Sequence, residues 1–183
     1  MRLVNGIKAV AGVAAITAVC SLAIAQTGNS NVSAADKKFV MAAAQGGMAE
    51  VKLGELATKN GASESVKKFG QKMVDDHSKA NEDLKQVVSK EGITLPTDID
   101  AKSKATMNRL AKLHGAAFDA AYIKDMKADH QKDIAEFTKE SNSGHDPDIK
   151  AFASKTLPVI KEHYSMISDM AKGKMSTKMS GKM

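Results

Sequence analysis

The chain has 183 residues, with 27 Lys and Arg against 21 Asp and Glu, five His, one Cys and no Trp. That length suits one domain with a sizeable core. Aromatic residues are few and the lysines are scattered. The basic stripe and stacking platforms of a nucleic-acid binder are therefore missing, and no nucleic-acid partner is expected.

Residues 1–25 read as a secretory signal peptide. Arg2 and Lys8 open it, an apolar stretch follows, and Ala23-Ile24-Ala25 supplies a small-x-small cleavage site after Ala25. The run is short for a retained anchor. Val19 precedes Cys20 where lipid attachment prefers a small residue, which argues against a lipoprotein. Cleavage removes the only Cys, and with it any disulfide, thiolate ligand or thiol nucleophile. It also takes away Arg2 and Lys8, lowering the formal charge from +6 to +4. The mature protein is expected in the periplasm or outside the cell, with no transmembrane segment.

Residues 26–35 form a polar linker. Asp36 is placed to cap a first helix, which runs to about residue 59 and closes at Asn60-Gly61. Ser63 caps a second helix that continues to about residue 91 and stops at Gly92. Residues 93–97 are an extended connector, because the residue before Pro96 avoids the helical region. A helical stretch follows over residues 98–113, with a break at His114-Gly115. The third main helix covers about 116–142. Asp146-Pro147 starts the last one, an N-cap followed by proline in the first turn. It runs to about residue 170, with Pro158 placed to kink it. Gly46-Gly47 fall inside the first helix and suit a close helix approach. No strand candidate emerges. The fold class is all-α, expected as a four-helix bundle over residues 36–170 with a helical crossover between helices two and three.

Each main helix carries an apolar stripe at helical spacing. The first reads Phe39, Ala43, Gly46, Glu50, Leu53, Ala57. The second reads Val66, Gly70, Met73, His77, Ala80, Leu84, Val87. The third reads Ala116, Ala120, Ile123, Met126, His130, Ile134, Phe137. The last reads Ile149, Ala153, Thr156, Ile160, His163, Ile167, Met170. One member of each stripe is polar: Glu50, His77, His130 or His163. Burying such groups unpaired costs several kcal/mol. Two readings follow. The four can ligate a divalent transition metal (Zn, Cu or Fe), for which nitrogen-rich ligation is suited. They can instead form a structural hydrogen-bond layer that fixes helix register. The helix lengths stagger Glu50 and His77 by about 7–8 Å at about 1.5 Å per residue, which leaves room for two half-sites. Asp76, Asp119, Tyr122 and Asp129 are candidates to support the ligands from behind; Asp76, Asp129 and Glu162 point away from their neighbouring histidines and suit another helix's imidazole. His114 and His145 fall in loops and read as surface residues.

Residues 171–183 are a tail rich in Met and Lys. Met175, Met179 and Met183 could hold Cu(I) through soft thioethers. The alternative is a flexible basic tail touching an anionic envelope surface. No Gly-x-Ser-x-Gly elbow or phosphate-cradling glycine loop is present.

Several strings occur together: Phe39-Val40, Gly47-Met48-Ala49-Glu50-Val51-Lys52-Leu53-Gly54, Met73-Val74-Asp75-Asp76-His77, Phe118-Asp119-Ala120-Ala121-Tyr122, Asp129-His130, and Leu157-Pro158 followed by His163. In this order they resemble the bacterial DUF4142 family over about 36–170. The resemblance implies an exported protein of the ferritin-like superfamily and leaves its activity open. Ferritin-like di-iron sites use Glu-x-x-His on two helices. Here Val74, Lys127 and Ile160 stand three residues before His77, His130 and His163. The bridging carboxylates are missing from their usual places, which weighs against ferroxidase or oxygenase chemistry. Three functions stay open: a metal-binding protein for envelope metal handling or stress protection, a non-catalytic envelope interaction module, and a redox enzyme with a divergent centre.

Overall fold

The structure, a computed structural model, describes residues 32–173. The signal-peptide reading, most of the linker, and Met175, Met179 and Met183 of the tail lie outside the described residues. Five helices make up the described part: α1 (Ala34–Asn60), α2 (Glu64–Ser89), α3 (Ala101–Leu110), α4 (Gly115–Ser143) and α5 (Pro147–Ala171). The protein is all-α; the one β-like feature among the described residues is an isolated bridge between Gly61 and Gly115. None of these helices is long and apolar enough to cross a membrane.

The helix ends follow local chemistry. Ser63 Oγ accepts from Val66 N, and Asp146 accepts from Asp148 N and Ile149 N, with Pro147 in the first turn. Gly92 and Gly115 have φ of 65° and 63°, which explains why the chain turns there. Pro158 lies inside α5 without ending it. The start of α1 differs from expectation. Ser33, not Asp36, is its N-cap, accepting from Asp36 N at 3.1 Å. That leaves the Asp36 carboxylate free for a longer reach.

Asp36 accepts from the backbone amides of His145 and Asp146, at 3.2 and 2.9 Å, and so ties the first turn of α1 to the start of α5. Asp119 does the same from α4, accepting from Ala62 and Ser63 N at 2.9 Å each, at the start of α2. The two helical hairpins, α1–α2 and α4–α5, thus cap each other reciprocally. Within α1–α2 the two backbones approach closely at Gly54 and Gly70. A Cβ on Gly54 would lie 2.5 Å from the Gly70 carbonyl oxygen, and one on Gly70 would lie 2.7 Å from that of Gly54. Of the Gly46-Gly47 pair, Gly47 also permits a close approach, since a Cβ there would lie 2.0 Å from Asn81 Oδ1 of α2, whereas Gly46 does not. Gly46 faces open space and Gly47 faces the Asn81 side chain.

The stripe predicted for α4 is partly out of phase. Ala116 and Ala120 are exposed; Phe118 and Tyr122 are buried in their place, followed by Met126, His130 and Phe137. The two aromatics bury far more apolar area than two alanines, so packing turns the helix toward them.

The core consists of two apolar clusters. One contains Phe39, Val40, Leu84, Val88, Phe137, Ile149, Phe152 and Ile160. The other contains Leu53, Val66, Phe69, Met73, Phe118, Tyr122, Met126 and Ile167. On each of the four long helices a single polar residue separates the members of one cluster from those of the other. These residues are Glu50, His77, His130 and His163, all buried. Helices α1 and α5 run from the first cluster to the second, and α2 and α4 run back.

Candidate metal centre

Three of the four polar residues meet. His77, His130 and His163 each present a ring nitrogen, and these atoms lie within 4.8 Å of one another. The ring centroids are 5.4 to 5.9 Å apart, and the Phe69 ring packs against His130 and His163. His130 and His163 are fully buried, and His77 is 8% exposed. A narrow pocket reaches His77 past Gly46, Gly47, Asp133 and Glu136.

The hydrogen bonds decide which nitrogens are available. His130 Nδ1 lies 2.9 Å from the Met126 carbonyl oxygen, an atom that can only accept. His130 therefore carries its proton on Nδ1. His163 Nε2 lies 2.7 Å from Asp76 Oδ2. Burial pushes the Asp76 carboxyl up, but the hydrogen bonds from His163 and Lys72 outweigh that and hold its pKa below the usual value. It is thus an acceptor, and His163 carries its proton on Nε2. The two remaining nitrogens, His130 Nε2 and His163 Nδ1, face each other at 3.4 Å. With both rings neutral, no proton lies between them. His77 Nε2 is buried and has no partner.

The rings are kept neutral by their surroundings. Burial, and then His130 and His163, lower the His77 pKa from 6.5 to about 3. Burial, and then His163, lower that of His130 to about 4. Burial also lowers His163, against the opposing pull of Asp76. Lone pairs turned toward one another in a buried site suit a cation. Two nitrogens bound tetrahedrally at about 2.0–2.1 Å stand about 3.4 Å apart, so the His130–His163 spacing fits zinc-like ligation. The Asp76 contact is the carboxylate–imidazole arrangement that orients metal-bound histidines.

Glu50 is not one of the three converging groups. Its Oε1 lies 3.9 Å from His130 Nδ1, on the far side of that ring from His163. The other expected supports divide. Asp76 holds His163. Asp119 caps α2. Glu162 pairs with Lys72 at 3.3 Å. The Tyr122 ring packs on Phe69 and Phe118, and its hydroxyl is buried without a partner. Asp129 faces Glu50, not an imidazole of the cluster. His114 and His145 are exposed, as expected.

Two participants escaped the sequence reading. One is the Met126 carbonyl, which carries no sequence signal because every residue has one. The other is Asp133. Burial, and then Asp129, push its carboxyl up to about 7. Its signal was available: Asp125, Asp129 and Asp133 recur every four residues on α4, a like-charge spacing that works against helix stability.

Fold and site together define an all-helical protein with three histidines gathered in its core. The chain belongs to the DUF4142 family: residues 21–170 match the model described as Domain of unknown function (DUF4142). Comparison with curated proteins and with solved structures gave no match.

Proposed function

We propose that this protein is an exported, ferritin-like four-helix bundle, with a helical crossover between its second and third long helices, that binds a divalent transition-metal ion. His77, His130 and His163 are the ligands, and Asp76 backs His163. The role is envelope metal handling or stress protection, with binding rather than turnover as the task. The observation that carries this reading is the pair of unprotonated nitrogens, His130 Nε2 and His163 Nδ1, 3.4 Å apart with their protons committed elsewhere. Zn, Cu and Fe all accept such nitrogen ligands. When bound, the ion supplies the positive charge that the three lone pairs lack.

A structural hydrogen-bond layer is the second reading. It is favoured by the Asp76–His163 bond, which joins α2 to α5. The two separate on one experiment, elemental analysis of residues 26–183, purified without chelator or histidine tag, beside His77→Ala. Near-stoichiometric metal that disappears in the variant is the expected result. Metal kept by the variant would move binding to the Met175, Met179 and Met183 tail or to the surface. No metal in either protein, even after incubation with zinc, copper and iron, would leave the layer as the role. His77→Ala would then chiefly lower stability, by about 1–3 kcal/mol.

A further inference from the structure

The three imidazoles are not held alike. His130 and His163 are fully buried, and each has one nitrogen engaged, by the Met126 carbonyl and by Asp76. His77 is 8% exposed, and among the described residues neither of its ring nitrogens makes a hydrogen bond. A ring held by packing alone can turn about its side-chain torsions without losing a polar contact. Turning His130 or His163 would break a buried hydrogen bond.

The ring that is free to turn is also the one that can be reached. The narrow pocket beside it is lined from all four long helices, and of the three histidines only His77 lines it. Gly46 of α1 and Asp133 and Glu136 of α4 are among its walls. Ala42, also in the wall, is exposed, and Gly46 and Asp133 are half-buried, so this side of the pocket reaches the surface. The same three residues, Ala42, Gly46 and Asp133, line the larger cleft between α1, α3 and α4, where Asp100, Asp125 and Asp129 outnumber Lys102 and Lys132. At Gly46 an added Cβ would meet nothing within 4 Å, so the seam between α1 and α4 is clear at that point. On another side of the cluster the Phe69 ring packs against His130 and His163. The pocket has a free volume of about 30 Å³, room for about two water molecules and too little for a fully hydrated ion. Among the described residues Asp133 has no ion-pair partner, whereas Glu136 is held by Lys132 at 3.2 Å. Asp133 is therefore the carboxylate in the wall that can take the place of lost water.

We propose that His77 is the ligand through which a metal ion enters and leaves the histidine cluster, along the seam between α1 and α4 and past Gly46 and Asp133. This rests on the metal-binding reading above. His130 and His163 are the fixed pair, and His77 closes last and opens first. Asp133 supplies an oxygen in exchange for part of the hydration shell that the pocket does not admit. The seam thus discriminates against Mg²⁺, which dehydrates reluctantly, and excludes a metal still held in a bulky chelate.

The test is the rate of Zn²⁺ uptake and release by the mature protein, followed by stopped flow against a chromophoric chelator. Gly46→Leu fills the seam. Its Cβ meets no atom, and leucine suits a helix interior better than glycine, so the variant should fold, which circular dichroism melts check. It should slow uptake and release alike, by about tenfold or more, and leave the affinity within about twofold, because a plug raises one barrier that is crossed in both directions. Gly46→Ala is too small to plug the seam and should exchange at nearly the wild-type rates. Asp133→Asn keeps the side-chain shape, and should slow uptake and weaken its dependence on ionic strength. Unchanged rates in a folded Gly46→Leu, or unchanged uptake in Asp133→Asn, would overturn the proposal. So would an affinity lost in Gly46→Leu with uptake unchanged, which would put position 46 in the site and not on the path to it. Each of these results leaves the histidine site standing, whereas no Zn²⁺ uptake by the wild type overturns that reading and this one together.

Discussion

At the scale of single residues, the site depends on where protons are held. Asp76 fixes the proton of His163 on Nε2, and the Met126 carbonyl fixes that of His130 on Nδ1. Asp76→Asn is the substitution that probes this without emptying the site. An amide oxygen can still accept from His163, but the negative charge that makes the imidazole a better ligand is lost. Metal affinity should fall about 10–100-fold while stoichiometry stays the same. Competition with a chromophoric chelator measures it, and an unchanged affinity would mean that Asp76 serves only the α2–α5 contact. The four polar positions were legible because each interrupts an apolar stripe. The tautomers were not, since they depend on atoms that meet only after folding.

At the scale of elements, the reciprocal caps join the two hairpins. Asp36 is buried, and its replacement by Ala would leave the amides of His145 and Asp146 without acceptors. A loss of about 1–3 kcal/mol is expected for Asp36→Ala, and about 1–2 kcal/mol for the more exposed Asp119→Ala. The two sites lie at opposite ends of α1, about 40 Å apart at 1.5 Å per residue, so the double variant should show the sum. Urea melts of the three variants test both points, and a shortfall from additivity would show that the two hairpin ends communicate. The sequence marked both residues, but with other tasks. Asp36 looked like a helix cap because its spacing allows one. Ser33 sits closer to the first turn and takes that role. The phase of α4 was misjudged for a related reason. Periodicity alone accepts Ala116 and Ala120, whereas the neighbouring helices offer space that only Phe118 and Tyr122 fill.

At the scale of the whole molecule, a polar layer divides the core into two apolar halves. Such a layer makes stability depend on pH. In the metal-free protein the folded-state pKa of Asp133 is raised to about 7 from 3.8. The folded form therefore holds a proton between those values that the unfolded chain has released. Its contribution is fully present below about pH 3.8 and is lost as pH rises through about 7. Asp133→Asn removes that loss. The difference in unfolding free energy between variant and wild type should grow from pH 4 to pH 8 in favour of the variant, by on the order of 2–4 kcal/mol. Denaturant melts across that range, with metal stripped, would show it. A flat difference would mean that the Asp133 carboxyl is hydrated in solution.

The sequence by itself determined the all-α class, the four long helices, most of their ends and the four polar interruptions. Those features follow from local spacing, capping residues and the positions of glycine and proline, which act within a turn or two of the chain. Only the tertiary structure decided that three of the interruptions converge while Glu50 does not join them. The stagger between Glu50 and His77 hinted at that division. The outcome rested on how α1 and α4 settle against each other, and that is set by packing across helices far apart in sequence. The same packing buries the histidines, keeps them neutral and turns their free nitrogens toward one point.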